Sequence, residues 1–154
     1  MDWIKNLLTL VSSLYTPGQC VVGYCFGHQL IGKALGGQVR KSEKGWCVGV
    51  QSFDPIGFNL LMMCQDQIEV LPADTEVIGG NNMCANGIIV VNDHFLGIQA
   101  HPEFSNEYDR LLMEKRINRM GKTTVEEGIK SLEMTVHKAE IRQYILEFIE
   151  KANK

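Results

Sequence analysis

Three side chains in this sequence have the types and spacing needed for covalent catalysis by a thiol. The first is Cys25 in the segment GYCFG, which has one glycine two positions before the cysteine and another two positions after it. The other two are His101 and Glu103 in the segment AHPEF, where one proline separates them. A cysteine nucleophile needs a base that takes its proton and a group that orients the base. Cysteine, histidine and glutamate in this chain order supply all three.

The pattern around Cys25 is typical of a sharp turn from a buried strand into a helix. The run QCVVGYC predicts the strand, and HQLIGKALGG predicts a helix that ends at two glycines. Small residues on both sides of the cysteine relieve crowding on such a turn, as in the G-x-S-x-G nucleophile elbow. At a helix N-terminus the backbone N–H groups favour the thiolate, and the N–H of Phe26 is a candidate oxyanion donor. The alternative is a small buried cysteine at a tight turn.

Of the four histidines, His101 has the position best suited to a base. It follows the buried strand LGIQA, and functional sites in open α/β sheets form at the carboxyl ends of strands. If the chain stays extended there, Glu103 projects to the same side as His101 and can hold its imidazole. The alternative is that HPEF begins a helix, because proline and glutamate both suit a first helical turn.

The other histidines are assigned structural or surface positions. His28 follows Cys25 along the predicted helix and would point away from the sulfur, His94 precedes a strand, and His137 lies in a C-terminal helical region. Cys20, Cys25 and His28 are close in sequence, but no second ligand pair follows at the spacing of a structural zinc site. We therefore expect no metal ligand in this chain.

The rest of the chain predicts the elements that must position these side chains. Apolar residues recur at helical spacing from Trp3 to Leu14. Short apolar runs between residues 45 and 91 predict a block of strands, some of them antiparallel hairpin partners. Amphipathic segments at 106–120 and 138–152, with a weaker one between them, predict C-terminal helices. This order of elements predicts an α/β fold with a mainly parallel central sheet flanked by helices.

Length and composition limit the classes of function. The 154 residues, 45% of them hydrophobic and 21% charged, fit one globular domain. The net charge of −3 gives no electrostatic reason to expect nucleic acid or an anionic membrane as a partner. No apolar run approaches the roughly 18 residues of a membrane helix, and no basic leader indicates a signal peptide. Five irregularly spaced cysteines fit reduced thiols in a cytoplasmic protein.

The segments GYCFGHQLIGKALGG and GIQAHPEF together resemble the class I, triad-type glutamine amidotransferases, closest to the stand-alone branch near the glutaminase domain of GMP synthase. The resemblance continues through DWIKNL, KGWCVGV and QDQIEVLP, and it implies a flavodoxin-like fold. It also implies that Cys25 attacks the side-chain amide of glutamine, which releases ammonia and leaves a γ-glutamyl thioester. His101 would be the general base and acid, Glu103 would orient it, and Gln29 would help to bind glutamine. No cofactor is implied.

The ammonia acceptor implied by this resemblance would be activated on another polypeptide. The sequence contains no ATP-binding loop of the form G-x-x-x-x-G-K-[ST], so a synthetase partner is expected. Hydrolysis of another γ-glutamyl compound is an alternative that keeps the same three catalytic residues.

Two differences from the family pattern change what the resemblance implies. Relatives carry a strand, a helix and a strand before the first helix seen here, with a glycine-containing loop that supplies a second oxyanion donor. Residues 1–154 are therefore expected to form an N-terminally truncated, partial amidotransferase domain, and loss of such a donor typically costs about 10²–10³ in turnover. The uncovered sheet edge could bind a second copy, so a non-catalytic binding or self-associating protein is the alternative function. Second, Cys64 replaces a histidine common in relatives, and we expect it to be a core residue.

Overall fold

A computed structural model describes residues 2–154 of the chain as an arrangement of helices packed around β-sheet. The helices are α1 Asp2–Ser13, α2 Phe26–Ala34, α3 Asn106–Lys115, α4 Ile117–Met120, α5 Lys122–Ser131 and α6 Lys138–Ala152. The strands are β1 Val21–Tyr24, β2 Gln38–Lys41, β3 Cys47–Pro55, β4 Phe58–Cys64, β5 Asp66–Val70, β6 Thr75–Gly80, β7 Ile88–Val91 and β8 Phe95–Ile98.

Six strands form the main sheet in the order β1-β8-β7-β6-β3-β4. Within residues 2–154, β1 and β8 are the only parallel neighbours in this sheet, and the other four pairings are antiparallel. The predicted α/β fold is confirmed, but the description of the sheet as mainly parallel is imprecise. The physical reason is the length of the connections. Strands β3 and β4, and strands β7 and β8, are joined by short turns, whereas a parallel connection needs a crossover of a dozen or more residues.

Strands β2 and β5 form a separate antiparallel pair. Strand β2 was not predicted, because its sequence QVRK has no apolar run and only Val39 is half-buried. An exposed ion pair joins the two strands, with 3.0 Å between Arg40 Nη1 and Glu69 Oε2. This small sheet matters for the site because it holds the backbone of Asp66 beside helix α2, where Gln29 contacts it.

The central strands β7 and β8 are buried on both faces. On one face, Leu96 and Ile98 pack in a cluster with Ile141 of helix α6. On the other face, Phe95 packs in a cluster with Ile31 of helix α2 and with residues of helix α1. Layers on both sides hold β8 rigidly, so the residues that follow it have a fixed place at the end of the sheet. None of the helices in residues 2–154 is long and apolar enough to cross a membrane.

Strand β1 lies at one edge of the main sheet. Three aromatic residues are exposed around it: Trp3 is 56% exposed, Phe26 45% and Tyr24 36%. The rings of Trp3 and Phe26 lie 5.9 Å apart between centroids. Self-association through this edge stays a prediction.

Candidate active site

Cys25 lies at the joint between strand β1 and helix α2. Its backbone N–H donates to the Ile98 carbonyl at 2.8 Å, and its own carbonyl accepts from the Gln29 N–H at 3.1 Å. The residue therefore ends the pairing with β8 and begins the first turn of the helix. Its backbone angles are φ 47° and ψ −99°. A non-glycine residue at such angles is strained, and strained residues are concentrated at functional sites.

The two glycines that flank Cys25 are not equivalent. A Cβ atom on Gly23 would lie 2.5 Å from the carbonyl carbon of Gly27 and 2.9 Å from Cδ1 of Ile31. A Cβ atom on Gly27 would have no neighbour within 4 Å among the described residues outside its own helical turn. The close packing of strand on helix therefore requires glycine at position 23 only, whereas the sequence pattern suggested a steric need on both sides.

Replacing Gly23 by alanine is expected to lower the free energy of unfolding by about 1–3 kcal/mol, because the methyl group would overlap backbone atoms that have no room to move. Gly27→Ala is the matched control. It should be neutral or stabilising, since alanine favours a helix over glycine by roughly 1 kcal/mol. Urea unfolding of both variants measures the difference, and equal midpoints would contradict the steric role of Gly23.

His101 and Glu103 lie on a turn that follows strand β8. Nδ1 of His101 is 2.7 Å from Oε1 of Glu103, and the imidazole stacks on Phe104 with 3.9 Å between ring centroids. The N–H of Phe104 donates to the His101 carbonyl at 3.2 Å. The segment is therefore neither extended nor the first turn of a helix, because α3 begins at Asn106 after the capping residue Ser105. With Nδ1 directed at the carboxylate, Nε2 is the ring nitrogen that is left to take a proton.

Strands β1 and β8 bring Cys25 and His101 to the same end of the sheet. They are parallel neighbours, with Tyr24 opposite Ile98, so both residues follow the carboxyl ends of adjacent strands. The His101 side chain is 13% exposed and that of Glu103 is 49% exposed. The histidine is therefore held at the mouth of the site, and the carboxylate supports it from the solvent side.

Burial is the largest influence on the pKa of the Cys25 thiol, and it raises that pKa above the usual value. The Phe26 backbone N–H and the Gln99 side chain donate hydrogen bonds that lower the pKa, whereas the nearby Glu103 carboxylate raises it. The expected preference for the thiolate is therefore not met, because burial outweighs the hydrogen bond at the helix N-terminus. A neutral thiol needs a base at the moment of attack, and Nε2 of His101 suits that task.

Two glutamine side chains connect Cys25 to strand β5. Nε2 of Gln29 donates to the Asp66 carbonyl at 2.7 Å and to Oε1 of Gln99 at 3.3 Å. Nε2 of Gln99 in turn donates to Sγ of Cys25 at 3.5 Å. Gln99 is completely buried, and Gln29 is half-buried. Sequence reasoning missed Gln99, although a polar residue at the end of the apolar strand LGIQA was an available signal.

The other three histidines have structural contacts. His28 is buried in α2, its Nδ1 would lie 2.5 Å from a Cβ atom on Gly97, and burial lowers its pKa to about 4. Both ring nitrogens of His94 contact backbone carbonyl oxygens. Nδ1 of His137 accepts from the backbone N–H of Asn59 at 2.8 Å. These contacts fix chain segments and leave His101 as the histidine of the site.

All five cysteines within the described residues are free thiols. Cys64 is buried at the end of β4, as expected for a core residue, and lies opposite Cys47 of β3. In residues 2–154, no group of three or more histidine, cysteine, aspartate or glutamate side chains is arranged to hold a metal ion.

Comparison with known proteins identifies the family. The family model described as "Glutamine amidotransferase class-I" matches residues 3–118, well over half of the chain. The chain is 28% identical over 151 residues to γ-glutamyl peptidase 3 of Arabidopsis thaliana, which covers 81% of this chain and 61% of that protein. It is 27% identical over 113 residues to one subunit of the glutamine-hydrolysing GMP synthase of Methanococcus maripaludis, which covers 66% of this chain and 60% of that protein.

A solved structure has the same fold. The glutamine amidotransferase from Thermotoga maritima matches with a TM-score of 0.73 at 17% identity, over 97% of this chain and 71% of that one. The chain spans about half to three-fifths of the length of the curated Arabidopsis relatives that it matches. From the family match, the chain belongs to the class I glutamine amidotransferases.

Proposed function

We propose that this chain hydrolyses the side-chain amide of glutamine through a γ-glutamyl thioester on Cys25. The observation that carries the proposal is the strained joint that holds Cys25 at the same sheet end as the His101–Glu103 pair. Family membership supports glutamine as the substrate, as does the similarity to a GMP synthase component whose name specifies glutamine hydrolysis.

The first half-reaction forms the thioester. Nε2 of His101 takes the thiol proton as Sγ of Cys25 attacks the side-chain carbonyl carbon of glutamine. The backbone N–H of Phe26, which already hydrogen-bonds the sulfur, is placed to stabilise the negative oxygen that develops. The carbon–nitrogen bond then breaks, His101 returns the proton to the leaving nitrogen, and ammonia departs. Because burial keeps the resting thiol neutral, this proton transfer is part of the attack.

The second half-reaction releases glutamate. A water molecule gives a proton to His101 Nε2 and attacks the thioester carbonyl, and the carbon–sulfur bond breaks as the sulfur recovers its proton. Through both steps the Glu103 carboxylate holds the imidazole by Nδ1 and stabilises its protonated form. Glu103 therefore orients the base and does not itself exchange a proton with the substrate.

Gln29 is the side chain that we assign to substrate binding. Its Nε2 is held by the Asp66 carbonyl and by Gln99, and no hydrogen bond from residues 2–154 engages its Oε1. That oxygen is therefore available to accept a hydrogen bond from the amide or the ammonium group of glutamine.

A second candidate is hydrolysis of a γ-glutamyl peptide. The similarity to γ-glutamyl peptidase 3 supports it, and the chemistry differs only in the leaving group, an amino acid in place of ammonia. The same three residues would form the same thioester, so the two candidates differ in the space beyond the scissile bond and not in the catalytic groups.

Initial rates with glutamine and with γ-glutamyl-alanine distinguish the two candidates. We expect glutamate and ammonia in equal amounts from glutamine, and kcat/KM for glutamine at least roughly tenfold above that for the dipeptide. Cys25→Ala protein supplies the background rate. A higher kcat/KM for the dipeptide would replace the first candidate by the second, and glutamate release equal to background with both substrates would contradict the proposed function.

We further propose that a synthetase on a separate polypeptide accepts the ammonia. The similarity to one component of a GMP synthase supports a partner of this kind, and the sequence has no ATP-binding loop that could activate an acceptor in this chain.

A further inference from the structure

We propose that Gln99 is a positioning residue that holds the sulfur of Cys25 and favours its ionised form from within the core. This inference rests on the proposed function, because it concerns the same nucleophile. Gln99 occupies the position after strand β8, its side chain is completely buried, and its Nε2 lies 3.5 Å from Sγ. At that distance an amide N–H donates a hydrogen bond to sulfur, which favours the thiolate over the thiol.

The direction of the hydrogen bonds follows from one backbone group. The Asp66 carbonyl can only accept, so the atom of Gln29 that lies 2.7 Å from it must be the amide nitrogen. The same nitrogen faces Gln99 at 3.3 Å, so Gln99 presents its oxygen to Gln29. The nitrogen of Gln99 must then face Cys25. The Asp66 carbonyl therefore determines, through two side-chain amides, that the sulfur receives a donor.

Burial gives this arrangement a physical reason. An amide side chain without hydrogen bonds is costly in an apolar core, and the neighbours of Gln99 along the chain, Ile98 and Ala100, are both completely buried. The backbone of Gln99 is also fixed, because its N–H donates to the Gly87 carbonyl at 2.7 Å. Gln99 therefore stays aimed at the sulfur, and its hydrogen bond opposes the effects of burial and of Glu103 on the pKa of the thiol.

The test is the pH dependence of Cys25 alkylation by iodoacetamide, measured peptide by peptide so that the other four cysteines do not contribute. Gln99→Met keeps the length of the side chain and removes the donor. Gln99→Glu keeps the shape and an oxygen for Gln29, but its carboxylate cannot donate to sulfur. We expect both to raise the apparent pKa of Cys25, so that alkylation at neutral pH falls by roughly tenfold, with the larger effect in Gln99→Glu.

A purely structural role for Gln99 would change stability but not the alkylation profile of the folded protein, which urea unfolding and circular dichroism verify. An unchanged pH profile in a folded variant would overturn the proposal, and either variant alone is sufficient if the other does not fold. Alkylation requires no glutamine, so the result for Gln99 is independent of whether the chain hydrolyses glutamine. Failure of the proposed function, with a shifted profile in the variants, would leave the role of Gln99 standing.

Discussion

Replacing Cys25 by alanine is expected to lower glutamine hydrolysis by about 10⁴-fold or more, because no thioester can form without the sulfur. Phe26 and His101 would remain in place, so the residual rate would reflect only the direct attack of water on bound glutamine. The measurement is glutamate release over a long incubation with purified protein. A loss of this size in a folded variant requires that the sulfur act in the chemical step.

Cys20→Ala is the matched control for this variant. Cys20 is a half-buried thiol just before strand β1, outside the joint and without an assigned role. Its replacement should leave the rate unchanged. Activity of Cys25→Ala close to that of the parent, or an equal loss in Cys20→Ala, would contradict the assignment of the nucleophile.

Replacing His101 by alanine is expected to lower the rate by about 10²–10⁴-fold at neutral pH, since no other group would take the thiol proton. The residual rate should depend steeply on pH. Burial raises the pKa of the Cys25 thiol, so without a base only the small fraction already ionised can attack. That fraction grows as pH rises towards the elevated pKa, so the variant should gain about tenfold per pH unit in the alkaline range, whereas the parent should not.

Glu103→Gln is the companion variant for His101. The amide preserves the shape and an acceptor for Nδ1, but it removes the negative charge that stabilises the imidazolium. Its loss should be smaller than that of His101→Ala. Parallel pH–rate profiles for His101→Ala and the parent would show that His101 is not the base.

The local parts of the site could be predicted from the sequence because they depend on neighbouring residues. The turn at Cys25 follows from the change of hydrophobic period on either side of it and from Gly23, whose missing side chain lets strand and helix approach. His101 and Glu103 are two residues apart, so one short turn suffices to join them. Each of these inferences required only a few residues of context.

The parts that depend on tertiary contacts could not be predicted. The hydrogen bonds of Gln99 come from residues 70 and 74 positions away, and no local pattern indicates that these segments meet. The pKa of Cys25 results from a balance between the helix N-terminus, which the sequence suggests, and burial, which only the packed core determines. The direction of the strands was described imprecisely because the apolar runs between residues 45 and 91 identify strands but do not specify how each one pairs.

The most direct test of the central claim, that Cys25 is an active nucleophile in a glutamine site, is the intact mass of the protein after treatment with an electrophilic glutamine analogue such as a diazoketone. The parent chain is predicted to gain one adduct, competed by glutamine, and Cys25→Ala is predicted to gain none. An adduct on both proteins, or no adduct on a folded parent, would contradict the claim.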